Sequence, residues 1–238
     1  MATPTMTTGT TAGTPPAVWR TSIGKKLMMA ASGVILVGFI IGHEIGNLKV
    51  YLGAHAINTY GEGLRTVGEP FFPRTVLLWG VRLVLIAAFT VHIVTAVVLA
   101  RQSRAARRHR YAHPDRVQAD VAASTMRWGG LTILLFLIFH LAHFTWGWIH
   151  PGYTYVRGDV YSNLVNGFNV WWISAVYIAA MIALGLHIYH GTWSIFQTFG
   201  VNNRRWDRRI RAAATAIAVL VVVGNISIPI AVLAGGVS

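Results

Sequence analysis

The chemistry available to this sequence rests on its imidazoles. Six histidines, His43, His92, His140, His143, His187 and His190, lie in or at the edges of long apolar stretches, where ionisable groups are rare and mark function. An imidazole in such a place ligates a metal, relays a proton or hydrogen-bonds between helices. One such residue would most simply be an interhelical bond, but histidines in four separate apolar stretches ask for more. His55, His109, His113 and His150 fall in connections or at a stretch end and read as surface residues. The chain has no cysteine, which excludes thiolate metal sites, covalently attached haem c, disulfide frameworks and cysteine nucleophiles.

The elements that must position these histidines are five apolar runs, at roughly residues 23–48, 75–100, 127–149, 170–199 and 210–234, each with at least the ~20 residues a helix needs to cross ~30 Å of hydrocarbon. Only 11% of the 238 residues are charged, less than half the ~25% of a soluble domain. The expected fold is therefore an all-α integral membrane bundle of five transmembrane helices over residues 19–238. Residues 1–18, uncharged and rich in Thr, Pro, Ala and Gly, are expected to be a disordered tail. They have neither the basic start nor the apolar core of a signal peptide.

The charge pattern orients the bundle. Arg20, Lys25 and Lys26 precede the first span; Arg101, Arg104, Arg107, Arg108, Arg110, Arg116 and Arg127 join the second to the third; Arg204, Arg205, Arg208, Arg209 and Arg211 join the fourth to the fifth. The opposite side offers Lys49, Arg65, Arg74 and Arg157, diluted by Glu62, Glu69 and Asp159. The positive-inside rule places the N-terminus in the cytoplasm and the C-terminus outside. Much of the net charge of +13 is thus a topology signal, and nucleic acid is not needed to explain it. The basic face also suits anionic lipid or a soluble partner. Trp19, Trp79, Trp128, Trp146, Trp148, Trp171, Trp172 and Trp206 cluster at the span ends as an interfacial belt.

Depth sorts the histidines. At a rise of ~1.5 Å per residue, His43 lies ~25 Å beyond Lys26 and His140 ~20 Å beyond Arg127, both in the outer half. His92 lies ~14 Å from Arg101 and His187 ~18 Å from Phe199, both deeper toward the cytoplasm. Bis-histidine ligation of two b-type haems stacked across the membrane needs such an outer pair and inner pair, each drawn from two helices. The neighbours suit a macrocycle: Gly38, Gly42 and Gly46 form a strip beside His43, Ala88 and Ala96 flank His92, Gly191 follows His187, and Phe136 and Phe144 bracket His140. The glycine strip equally suits close helix packing. His143 and His190 face roughly the same way as His140 and His187, so spacing leaves them open as alternative ligands, propionate partners or quinone contacts. A zinc or di-iron site would recruit carboxylates. The acid well inside a span is Glu44, on a different helix face from the adjacent His43.

These residues resemble a known family, the five-helix, di-haem cytochrome b membrane anchor of succinate:menaquinone oxidoreductases and quinol:fumarate reductases. SIGKKLMMAASGVILVGFIIGHEIGN, residues 22–47, looks like its first helix, and AHAINTYG, residues 54–61, is similar to its first outer loop. FTVHIVTA around His92, IFHLAHF around His140 and GLHIYHGTWS around His187 resemble the next three histidine segments. The resemblance covers about residues 22–235. It implies His92 and His187 as iron ligands of the proximal, cytoplasmic-side haem, and His43 and His140 as those of the distal haem. It also implies menaquinone as substrate and a place in a bacterial plasma membrane. A partner flavoprotein subunit would carry the dicarboxylate chemistry and a partner iron–sulfur subunit would deliver electrons. Some fumarate-reducing relatives carry a glutamate just before the ligand of the fourth helix; here Gly185 and Leu186 stand there, which favours succinate oxidation.

Arg82, two turns into the second span from the outer side, either snorkels to the surface or contacts a distal haem propionate or the quinone. Other readings are the di-haem b anchor of a formate dehydrogenase or nitrate reductase, a transporter using the histidines as a proton relay, and a haem-free anchor. Neither an inverted repeat nor a pair of interrupted helices supports the transporter.

Overall fold

A computed structural model describes residues 20–106, 121–201 and 203–238, with the side chains of 121–125 and 204 left aside. The expected tail at residues 1–18, Trp19, Arg107, Arg108, Arg110, Arg116, His109 and His113 lie outside the described residues.

Among the described residues every regular element is helical: α1 (Ser22–Asn47), α2 (Ala54–Thr66), α3 (Val76–Ala105), α4 (Val121–His140), α5 (Val160–Asn169), α6 (Trp171–Thr198) and α7 (Arg204–Leu233). The end of α1 tightens into a 3₁₀ turn over Leu48–Leu52, and α4 widens into one π-helical turn over Leu141–Thr145. Five helices, α1, α3, α4, α6 and α7, are long and apolar enough to cross a membrane. The chain is a multi-pass membrane protein by this criterion, and the spans fall close to the five apolar runs.

Side chains cap these helices where backbone N–H groups lack partners. Thr21 Oγ1 accepts from Gly24 N at 3.0 Å, Asp159 Oδ1 from Ser162 N at 3.0 Å, and Asn203 Oδ1 from Trp206 N at 3.0 Å. The central helix is α6, which packs against α1, α4 and α7, while α3 sits outside α1. Large apolar side chains such as Leu83, Val84, Ile86, Leu220 and Val223 face outward, as a lipid-solvated bundle requires. The expected interfacial tryptophans Trp79, Trp128, Trp146, Trp148, Trp171, Trp172 and Trp206 are all exposed near span ends.

The two ends of the bundle differ. At one, α2 and α5 cap the spans over a core of Val50, Ile57, Leu164, Val165, Phe168, Ile173, Ile228 and Val232. Asn58 ties the caps together, donating to Asp159 Oδ1 at 3.1 Å and accepting from Tyr161 N at 3.0 Å. Tyr161 Oη donates to the Ser238 carbonyl at 3.0 Å, so the C-terminus lies at this end. Glu62 pairs here with Arg65 at 3.1 Å and with Arg74. At the other end, Asp207 accepts from Trp193 Nε1 at 3.0 Å and from Arg211 Nε at 3.0 Å, joining α6 to α7.

Both capping helices add to the sequence reading, which likened residues 54–61 to an outer loop and left 160–169 in a connection between spans. Neither is long enough to register as a span. The signal lay in Val160, Leu164, Val165 and Phe168, whose helical spacing turns one apolar stripe into the core.

Candidate functional site

Four helices bring the histidines into two facing pairs. His43 of α1 meets His140 of α4 with ring centroids 5.9 Å apart and planes at 90°. His92 of α3 meets His187 of α6 with centroids 6.2 Å apart and planes at 63°. Both are edge-to-face ring contacts of ordinary length; with a metal–imidazole nitrogen bond of ~2.0 Å, two imidazoles on opposite sides of one ion would also stand ~6 Å apart. Tyr177, hydrogen-bonded to His140, precedes His187 by ten residues on α6, so the two pairs lie ~15 Å apart along the bundle.

In the α3–α6 pair, His92 Nδ1 lies 3.2 Å from the Met29 carbonyl and 3.4 Å from Ser32 Oγ. A carbonyl only accepts, so Nδ1 carries the proton and Nε2 holds the lone pair. His187 Nδ1 is buried with no hydrogen-bond partner among the described residues. Beside this ring a groove of about 210 Å³ runs between α4 and α6, lined by Trp128, Gly129, Thr132, Ala183 and Leu186.

The α1–α4 pair sits among aromatic rings. Phe39 stacks on His43 at 5.3 Å, and Phe136 and Phe144 bracket His140 at 5.9 and 5.8 Å, as the spacing predicts. A Cβ on Gly38 or Gly42 would meet nothing within 4 Å, whereas one on Gly46 would lie 2.6 Å from the Tyr60 ring. The glycine strip thus divides: two positions leave an open flank beside His43, and the third is a close-packing contact.

The spacing left His140 and His143 equivalent, and tertiary contacts separate them. His143 is fully buried with both ring nitrogens engaged, Nδ1 at 2.9 Å from Tyr177 Oη and Nε2 at 2.9 Å from Tyr153 Oη. His140 uses only Nδ1, at 3.2 Å from the same Tyr177 hydroxyl, and its ring faces His43. Tyr153 stays a neutral hydroxyl, its pKa pushed up to about 12 by burial and by neighbouring Tyr155. His190 lies against the Trp193 ring at 5.8 Å.

Two charged residues singled out in the sequence stand apart from the pairs. Arg82 is seated over the Trp79 ring of its own helix at 4.9 Å. Glu44 is buried against α7, where Gly224 makes room for its carboxylate; a Cβ at Gly224 would collide with it. Nearby, Asn47 Nδ2 donates to Asn225 Oδ1 at 3.4 Å.

Sequence reasoning missed Tyr177, Tyr153, Ser32 and the Met29 carbonyl. Tyr177 is one more aromatic residue in an apolar run, and its spacing within α6 does not reveal that it faces α4. A backbone carbonyl leaves no trace in side-chain identity at all.

The fold and site define a class: a multi-pass helical membrane protein with two facing histidine pairs at two levels of the bundle. No family model, curated protein or solved structure matches the chain.

Proposed function

We propose that this chain is a di-haem cytochrome b anchor, the electron-transfer membrane subunit of a succinate:quinone oxidoreductase. In this reading it takes electrons from a partner iron–sulfur subunit and delivers them to menaquinone, while a partner flavoprotein carries out the dicarboxylate chemistry. The observation that carries the reading is the pair of His–His contacts, at 5.9 and 6.2 Å, each made between two different helices.

His92 and His187 would hold one haem, and His43 and His140 the other. A bis-histidine b haem supplies a reversible one-electron carrier with no open position for O₂. His92, protonated on Nδ1 by its bond to Met29, presents the lone pair such ligation needs. The exposed Gly38 and Gly42 beside His43 and the groove beside His187 leave room at these two places, which supports the reading. The basic ends of α1, α3, α4 and α7 support a cytoplasmic N-terminus and an external C-terminus in a bacterial plasma membrane. On that orientation α2 and α5 lie outside and His43–His140 is the distal pair. Arg82, seated over the Trp79 ring, either snorkels to the surface or contacts a distal propionate or the quinone; unchanged quinone reduction and distal potential in Arg82→Leu would remove it from both of the latter roles.

The test is a dithionite-reduced minus oxidised spectrum of the purified membrane complex, with haem quantified per polypeptide. Two low-spin b haems per chain are expected, and folded protein without haem overturns the proposal.

A further inference from the structure

One hydroxyl stands between the two imidazoles of α4, and it comes from another helix. Tyr177 Oη lies 3.2 Å from His140 Nδ1 and 2.9 Å from His143 Nδ1, and His143 Nε2 lies 2.9 Å from Tyr153 Oη. The network is tightly enclosed: His143 and Tyr177 are buried, and a Cβ on Gly167 of α5 would lie 2.7 Å from His143 Nε2.

Proton counting restricts what this chain of four groups can do. Each tyrosine has one O–H and each neutral imidazole one N–H. Leaving the buried Tyr177 O–H without an acceptor would cost a full desolvation penalty. With that proton bonded, only two polarities remain. In the first, His140 Nδ1–H donates to Tyr177, Tyr177 O–H donates to His143 Nδ1, and His143 Nε2–H donates to Tyr153. His140 then keeps a bare lone pair on Nε2. In the second, every bond reverses, and His140 carries its proton on Nε2, where it can ligate nothing.

We infer that Tyr177, backed by His143 and Tyr153, is a positioning residue for His140: it accepts the Nδ1 proton, holds the Nε2 lone pair toward His43, and strengthens the imidazole as a donor to iron. This rests on the di-haem reading. His92 obtains the equivalent hold from the Met29 carbonyl, so the tyrosine relay belongs to one level of the bundle and should tune only one haem.

Redox titration of the haem bands in the wild-type and Tyr177→Phe membrane complexes tests this. A weaker donor favours ferrous iron, so one midpoint potential should rise while the other stays in place. A tenfold change in the oxidised-to-reduced ratio, about 59 mV for one electron, is the expected size. His143→Gln, which still offers an acceptor to the Tyr177 O–H, should shift the same haem by less. If Tyr177→Phe fails to assemble, His143→Gln and Tyr153→Phe carry the test, with the same haem shifting upward in each. A two-haem complex whose potentials stay unmoved, or move together, overturns this inference alone. A wild-type complex without haem overturns the di-haem reading beneath it, and that result precedes any variant.

Discussion

The α1–α4 and α3–α6 pairs solve one problem with different materials. His140 is oriented by a side-chain network, Tyr177, His143 and Tyr153, inside a ring of phenylalanines. His92 is oriented by the main chain, through the Met29 carbonyl one helix away. A carbonyl cannot be removed by substitution and hardly varies in basicity. A tyrosine backed by a second histidine can be altered, so the hold on the α1–α4 imidazole is open to sequence change and the main-chain hold on the α3–α6 imidazole is not. The pairs also differ in enclosure. His43 stands beside open space at Gly38 and Gly42, whereas His187 Nδ1 is buried without a hydrogen-bond partner among the described residues.

The comparison breaks most sharply at the imidazoles. On the di-haem proposal, His140→Leu and His187→Leu should each remove one haem of two, halving the reduced-minus-oxidised b-band per polypeptide. Potentiometry should show that a different haem survives in each. Loss of both haems from either single variant would mean that the two levels do not load independently.

Gly167→Ala comes next, since its Cβ would press to 2.7 Å from His143 Nε2. Overpacking of this kind costs about 1–3 kcal/mol. Thermal unfolding should shift accordingly, and the α1–α4 haem should respond while the α3–α6 haem does not.

A smaller effect is expected at the capped end. Hydrogen bonds from Ser162 and then Asn58 hold the Asp159 carboxyl below the usual carboxylate range. A lowered folded-state pKa contributes stability above the ordinary value of about 4, and that contribution is lost as pH falls through the depressed one. Asp159→Ala should cost about 1 kcal/mol at neutral pH, the worth of an N-cap. It should also flatten the acid limb of the unfolding curve, and an unchanged acid limb would assign that limb to other carboxylates.

Ser32→Ala should do least. Its hydroxyl lies 3.4 Å from His92 Nδ1, but the Met29 carbonyl at 3.2 Å still accepts the proton. A stability loss of about 0.5 kcal/mol, with both haem potentials unmoved, is expected for one redundant hydrogen bond. A large potential shift in this variant would show that the α3–α6 level, too, is tuned by a side chain.

The sequence by itself determined the five spans, because apolar runs of membrane length have few other uses, and the place of each histidine along its helix, because helical rise is fixed. It determined the aromatic bracket around His140, because i±4 neighbours share a helix face whatever the tertiary fold. It did not determine α2 and α5, whose short stripes become helices only once a bundle end exists to bury them. Nor did it separate His140 from His143, or Gly42 from Gly46. Those distinctions depend on what another helix presents: Tyr153 and Tyr177 to His143, Tyr60 to Gly46, open space to Gly42. Periodicity says which residues share a face, and only packing between distant segments decides what that face meets.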